Sequence, residues 1–317
     1  MTAWGFSVGS MSGLPQLGEG VLLTDGGVET DLIFRRGVPL PEFASFVVHD
    51  DPDLERLATD YFDEYLRIAA DAGLGLVLET LTWRASRDWG AKVGYDAEGL
   101  ARVNRRAVEF LHGLCASRGE APVVVSGCVG PRDDAYAGLG SMGPDEAAEF
   151  HAEQIAVLAD AGVDQVTALT LTNTDEAIGV VVAARDYGAP VVVSFTVETD
   201  GRLPSGPTLA EAVRTVDDAT SGAPAYYMIN CAHPDHFAGS LDAEDGAIQR
   251  IRGVRANASR RSHAELDDST DLDDGDPDEF GQLLADLHRA GSNLNVLGGC
   301  CGTDARHIAA VAHALRH

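Results

Sequence analysis

Residues 144–196 read PDEAAEFHAEQIAVLADAGVDQVTALTLTNTDEAIGVVVAARDYGAPVVVSFT, and the alternation inside that stretch decides the fold. Pro144 to Ala161 has a helical pattern, with proline where the first turn of a helix tolerates it. Asp160-Ala161-Gly162 closes it, glycine supplying the left-handed residue that turns the chain out of a helix. Gln165 to Leu169 is then a short β-branched run, Thr174 to Tyr187 a second helix, and Pro190 to Thr196 a second strand. Helix and strand alternating across short connections is the unit of a parallel sheet with helices outside it.

The same unit extends in both directions. Further strands are predicted at Val21 to Asp25, Leu74 to Glu79, Pro122 to Ser126, Ala225 to Ile229, Gly253 to Ala256 and Asn293 to Leu297, eight in all. Helices are predicted at Asp53 to Ala72, Glu98 to Ser117, Asp278 to Ala290 and Thr303 to Arg316. Asp71-Ala72-Gly73 and Arg289-Ala290-Gly291 repeat the closing form seen at Gly162. Eight such repeats predict the α/β class and a closed (β/α)₈ TIM barrel. A doubly wound open sheet is the alternative, weakened because Thr24-Asp25-Gly26-Gly27-Val28 after the first strand lacks the G-x-G-x-x-G turn. Residues 1–20 read as an N-terminal extension and 21–317 as one barrel. The acidic insertion 260–279 has too few apolar residues to bury a face and reads as a solvated loop.

Composition narrows the function classes. No stretch approaches the ~18 apolar residues of a membrane span, and the start of the chain lacks the pattern of a secretory signal. A cytoplasmic protein is expected. Fifty acidic against 23 basic residues give a net charge of −27, which repels nucleic acid and anionic membranes, so neither is an expected partner. Lys92 is the single lysine. Acid surplus with little lysine suggests a halophilic protein; a genome biased toward arginine codons would account for the missing lysine but not for the acid. Five cysteines, an odd number, argue for thiols over a disulfide framework.

In a barrel of this kind chemistry gathers just past the C-terminal ends of the strands. There stand Asp25-Gly26-Gly27, Glu79-Thr80-Leu81-Thr82-Trp83, Asn230-Cys231 and Gly298-Gly299-Cys300-Cys301-Gly302. The vicinal cysteines precede a helix, whose N-terminus favours thiolate, and glycines let backbone fold closely around a large ion. With Cys231 they offer three thiolates, a set that suits Zn²⁺ and leaves a fourth position for substrate. On spacing alone, buried apolar thiols remain the alternative reading.

Gly298-Gly299-Cys300-Cys301-Gly302-Thr303, Ile229-Asn230-Cys231 and Asp25-Gly26-Gly27-Val28-Glu29-Thr30 together resemble the homocysteine S-methyltransferase family. Glu79-Thr80-Leu81-Thr82-Trp83 is similar to its E-T-N-T-aromatic segment, and Gly127-Cys128-Val129-Gly130-Pro131 to its G-S-x-G-P. The resemblance spans roughly Val21 to Val311. It implies Zn²⁺ bound by Cys231, Cys300 and Cys301, with the homocysteine thiol as a further ligand and a cationic methyl donor, S-methylmethionine or S-adenosylmethionine. It implies Asp25 as the catalytic position that binds or orients the substrate's ammonium. Gly26, Gly27, Glu79, Thr82, Trp83 and Asn230 complete the expected substrate contacts, Trp83 by cation–π attraction to the donor. Cys115 and Cys128 are assigned to packing. Leu169 stands where many relatives carry a substrate-binding glutamate, which leaves another thiol or selenol open as acceptor. A barrel that holds zinc or thiols without catalysis is the alternative of another class.

Overall fold

A computed structural model describes residues 13–118, 122–134, 142–241, 244–269, 271–290 and 293–316. Eight parallel strands close on themselves in sequence order, β1 pairing with both β2 and β8. They are β1 Leu22–Thr24, β2 Gly75–Glu79, β3 Val123–Val129, β4 Gln165–Leu171, β5 Val191–Phe195, β6 Tyr226–Asn230, β7 Ile251–Ala256 and β8 Val296–Gly299. The open-sheet alternative is therefore excluded. All eight predicted strands are present, and β3, β4, β6 and β8 run beyond their predicted ends.

Among the described residues seven long helices pack outside: α1 Pro52–Ala72, α2 Ala97–Arg118, α3 Pro144–Asp160, α4 Thr174–Asp186, α5 Leu209–Thr220, α6 Pro277–Arg289 and α7 Ala305–Ala314. Asp51 caps α1, its carboxylate accepting from Asp53 N and Leu54 N ahead of a first-turn proline. Gly73 and Gly162 take left-handed backbone (φ +68° and +89°) after α1 and α3, while Gly291 lies outside the described residues. After β6 the helix shrinks to Pro234–Phe237, one turn followed by a 3₁₀ segment. Among the described residues no helix is long and apolar enough to cross a membrane.

The barrel interior is graded along its axis. At the floor Leu14, Leu22, Val77, Val124, Val192, Met228 and Val296 pack together. Residues 13–20 therefore belong to the barrel rather than to an appendage. Gln16 is fully buried, its amide donating to Gln165 Oε1 at 2.7 Å, and Asn295 Nδ2 ties down the carbonyls of Gln16, Gly18 and Gly20. A hydroxyl layer follows, with Ser126 Oγ and Thr167 Oγ1 2.7 Å apart. The charged groups come last, at the C-terminal mouth.

The acidic segment also departs from expectation. Ser262 caps a short helix, His263–Asp267, and Asp276 caps α6. Between them Asp273 accepts from Ser259 Oγ at 2.7 Å, and Asp274 pairs with Arg35 and Arg306. Composition reads such a run as solvated; opposite charges elsewhere in the chain order it beside the mouth.

Candidate active site

Two loops bring the cysteines together. Cys231 directly follows β6, and Cys300 and Cys301 follow β8 ahead of α7. The three sulfurs lie within 4.8 Å of one another, Cys231 Sγ and Cys301 Sγ 3.6 Å apart. Cys231 is buried, Cys300 half-buried and Cys301 exposed.

Cys231 reaches this place through left-handed backbone (φ +57°), a conformation costing a side-chain-bearing residue roughly 1–2 kcal/mol. Its peptide groups are clamped in return. Cys231 N donates to Arg255 O at 3.1 Å, and its carbonyl accepts from His263 Nε2 at 2.6 Å and Asn257 Nδ2 at 3.0 Å. On the β8 side, a Cβ on Gly27 would sit 2.4 Å from Cys300 O, and one on Gly298 2.0 Å from Thr24 Oγ1. Glycine at these positions lets strands and cysteine loop approach closely. The Cys231 and Cys301 thiols donate toward Cys300 sulfur, and with Arg255 nearby they hold its pKa well below the ordinary thiol range.

Beneath and beside the sulfurs lies a cavity of about 490 Å³. Asp25, Gly26, Gly27, Glu79, Trp83 and Asn230 from the sequence prediction all line it, as does Leu169. Thr82 does not: its hydroxyl donates to Cys128 O and contacts Thr80 Oγ1, and it is Thr80 that reaches the cavity. Cys128, read as a packing residue, forms part of the wall, where burial pushes its thiol well above the usual range. Cys115 is a partly buried core contact, as expected.

The charged floor of the cavity contains a residue that sequence reading missed. Arg255, near the end of β7, donates from Nη1 to Asp25 Oδ1 at 2.6 Å and from Nη2 to Gly26 O at 3.1 Å. Asp25 Oδ2 accepts from Tyr61 OH at 3.1 Å. Asp25 therefore faces the cavity with both oxygens engaged. Burial opposes the charge on Arg255, but the carboxylates of Asp25 and Glu79 more than offset this and raise its pKa. Burial pushes Glu79 up to about 7 despite the nearby arginine, and its Oε2 has no hydrogen-bond partner.

Asn230 is a brace. Its Oδ1 accepts from Thr170 N (2.9 Å) and Ser194 Oγ (2.7 Å), and its Nδ2 donates to Thr170 Oγ1 (2.8 Å). Trp83 donates from its indole to Leu169 O at 3.2 Å, while the guanidinium of Arg84 lies 4.9 Å from its ring centroid and 3.7 Å from that of Trp89. The protein's own cation thus takes up a cation–π position on Trp83 that had been expected for the donor. At the rim Glu29, Glu42 and Asp134 add acid, so five carboxylates and two arginines line the cavity.

Comparison with known proteins agrees with this geometry. The model of the family described as homocysteine S-methyltransferase matches residues 22–315. Homocysteine S-methyltransferase 4 of Zea mays is 25% identical, the match covering 98% of this chain and 94% of that protein. Homocysteine S-methyltransferase 3 of Arabidopsis thaliana is 24% identical over 93% and 90% respectively. Among solved structures, the metallated form of the homocysteine methyltransferase MmuM from Escherichia coli superposes with a TM-score of 0.71 at 22% identity, over 94% of this chain and 96% of that one.

Proposed function

The chain belongs to the homocysteine S-methyltransferase family, and on that premise we propose that it moves a methyl group from a sulfonium donor to the thiol of homocysteine, forming methionine. The donor in this reading is S-methylmethionine or S-adenosylmethionine, and Zn²⁺ is held by Cys231, Cys300 and Cys301. The observation that carries it is the three sulfurs converging at the mouth of the charged cavity.

The donor set fits the ion. Tetrahedral zinc–sulfur bonds of about 2.3 Å put ligand sulfurs about 3.8 Å apart, close to the 3.6 Å between Cys231 and Cys301. When bound, zinc would supply the Lewis acidity that keeps an acceptor thiol, normally of pKa about 8.5, as thiolate at neutral pH. The chain's residues supply the setting. The surplus of carboxylates around the cavity favours a cationic donor over an anionic one. In the transfer the acceptor sulfur attacks the methyl carbon, and the bonding pair of the breaking C–S bond stays with the donor sulfur. A negative and a positive sulfur become two neutral thioethers, a change favoured away from bulk water between walls such as Leu40, Trp83 and Leu169.

The test is incubation with homocysteine and each donor, read by mass spectrometry for methionine, alongside metal analysis. About one zinc per chain is expected. Cys300→Ser should weaken zinc retention by at least about 100-fold, since even outer-shell changes cost 10–100-fold, and should abolish turnover. Full activity in metal-free protein would remove zinc from the mechanism, and no methionine with any donor would remove homocysteine.

A further inference from the structure

Arg255, Asp25 and Glu79 are all buried in the cavity wall, with at most 5% of each exposed. Charges buried to this degree cost several kcal/mol apiece unless partners compensate them. Asp25 is compensated by Arg255 and Tyr61. The other two are only partly so. A guanidinium carries five N–H donors, and Asp25 and Gly26 account for two of those on Arg255. Glu79 keeps one oxygen buried and without a hydrogen-bond partner. Arg255, with donors left over, and Glu79, with its unmatched oxygen, both line the cavity that the thiols border.

The opposite requirement describes a ligand: a carboxylate and an ammonium a short chain away from a sulfur. On β4 the wall offers only the apolar Leu169 and Thr170, whose hydroxyl is already bonded to Asn230. Of the charged side chains at the strand ends, Asp25 is already engaged on both oxygens, which leaves Glu79 on β2 and Arg255 on β7. We propose that Arg255 and Glu79 are the specificity-determining pair of this site, Arg255 held by Asp25 to take the acceptor's carboxylate and Glu79 to take its α-ammonium. The acceptor class is then a thiol carried on an α-amino acid, an inference that rests on the thiol-acceptor reading above. An ammonium beside Glu79 would also restore to it the charge that burial disfavours in the free protein.

Three acceptors separate the contributions: homocysteine, 4-mercaptobutyrate, which lacks the ammonium, and 3-mercaptopropylamine, which lacks the carboxylate. With the zinc-loaded protein and S-methylmethionine, kcat/KM should fall about 100-fold or more for each truncated thiol, because a site built to bond a group rejects analogues without it. Glu79→Gln should collapse the preference for homocysteine over 4-mercaptobutyrate. Arg255→Lys, which keeps a charge for Asp25 but not the forked donor geometry, should collapse the preference over 3-mercaptopropylamine. Both losses should fall mainly on KM. A purely structural role would depress all three acceptors alike, and unchanged ratios in both variants, or a uniform loss, would overturn the proposal. Calorimetric binding of the same thiols keeps the two readings apart. Discrimination in binding without turnover would leave the pair standing and remove the methyl transfer; turnover without discrimination would do the reverse.

Discussion

Cys231 and Gly27 solve the same problem beside the same cysteine loop, since each lets backbone enter space that an ordinary residue would be denied. Gly27 has φ −83°, which any residue can adopt, so its value is the missing Cβ alone. Gly27→Ala should place a methyl carbon against Cys300 O and Thr30 Oγ1. Overpacking of this kind costs about 1–3 kcal/mol, and here the strain falls on the cysteine loop. A lowered denaturation midpoint with faster zinc loss is expected; an unchanged midpoint would show that the loop yields freely. The cysteines were legible in the sequence because vicinal thiols between glycines are rare in a packed interior. Arg255 was not, because an arginine three residues after Arg252 on one strand looks like surface charge until closure of the barrel sets it beside Asp25. Trp83 shows the converse: its place at the rim was readable, but not that Arg84 would cover its ring.

At the scale of elements, the register of β4 against β5 shifts between Ala168 and Leu171, and within the shift Thr170 has φ +68°. This irregularity accompanies the presence of both Leu169 and Thr170 on the cavity wall. Asn230, from β6, reaches to Thr170 and holds it there through two hydrogen bonds. Asn230→Ala should leave Thr170 N and Ser194 Oγ without their acceptor and destabilise the protein by about 2 kcal/mol, within the usual range for orphaned buried groups. Adding Thr170→Gly should recover part of that loss, because glycine adopts positive φ without penalty. Strictly additive losses by chemical denaturation would count against the brace. The strands themselves were readable from their apolar runs. The bulge was not, since nothing in Ala168-Leu169-Thr170-Leu171 marks it, and the side chain that braces it lies 60 residues away, at Asn230.

For the whole molecule, a charge of −27 acts against compactness unless counterions screen it. The thermal midpoint is expected to rise from about 0.1 M to about 2 M KCl as the screening length shrinks from about 10 Å to below 3 Å; a falling midpoint would refute adaptation to salt. The N-terminal segment matters at this scale too. Removing residues 1–20 would strip Gln165 and Asn295 of Gln16 and its neighbours and uncover the floor beneath Leu14. A loss of about 3 kcal/mol or more is expected from the orphaned amides and exposed apolar surface, checked by urea denaturation of the shortened chain.

That sealed floor leaves the barrel with a single doorway. In the reaction proposed above both substrates and both products would pass the same rim, the one on which the three sulfurs and Trp83 stand. Closing one end of a barrel makes entry and exit share one passage, so a product must clear it before the next substrate can come in.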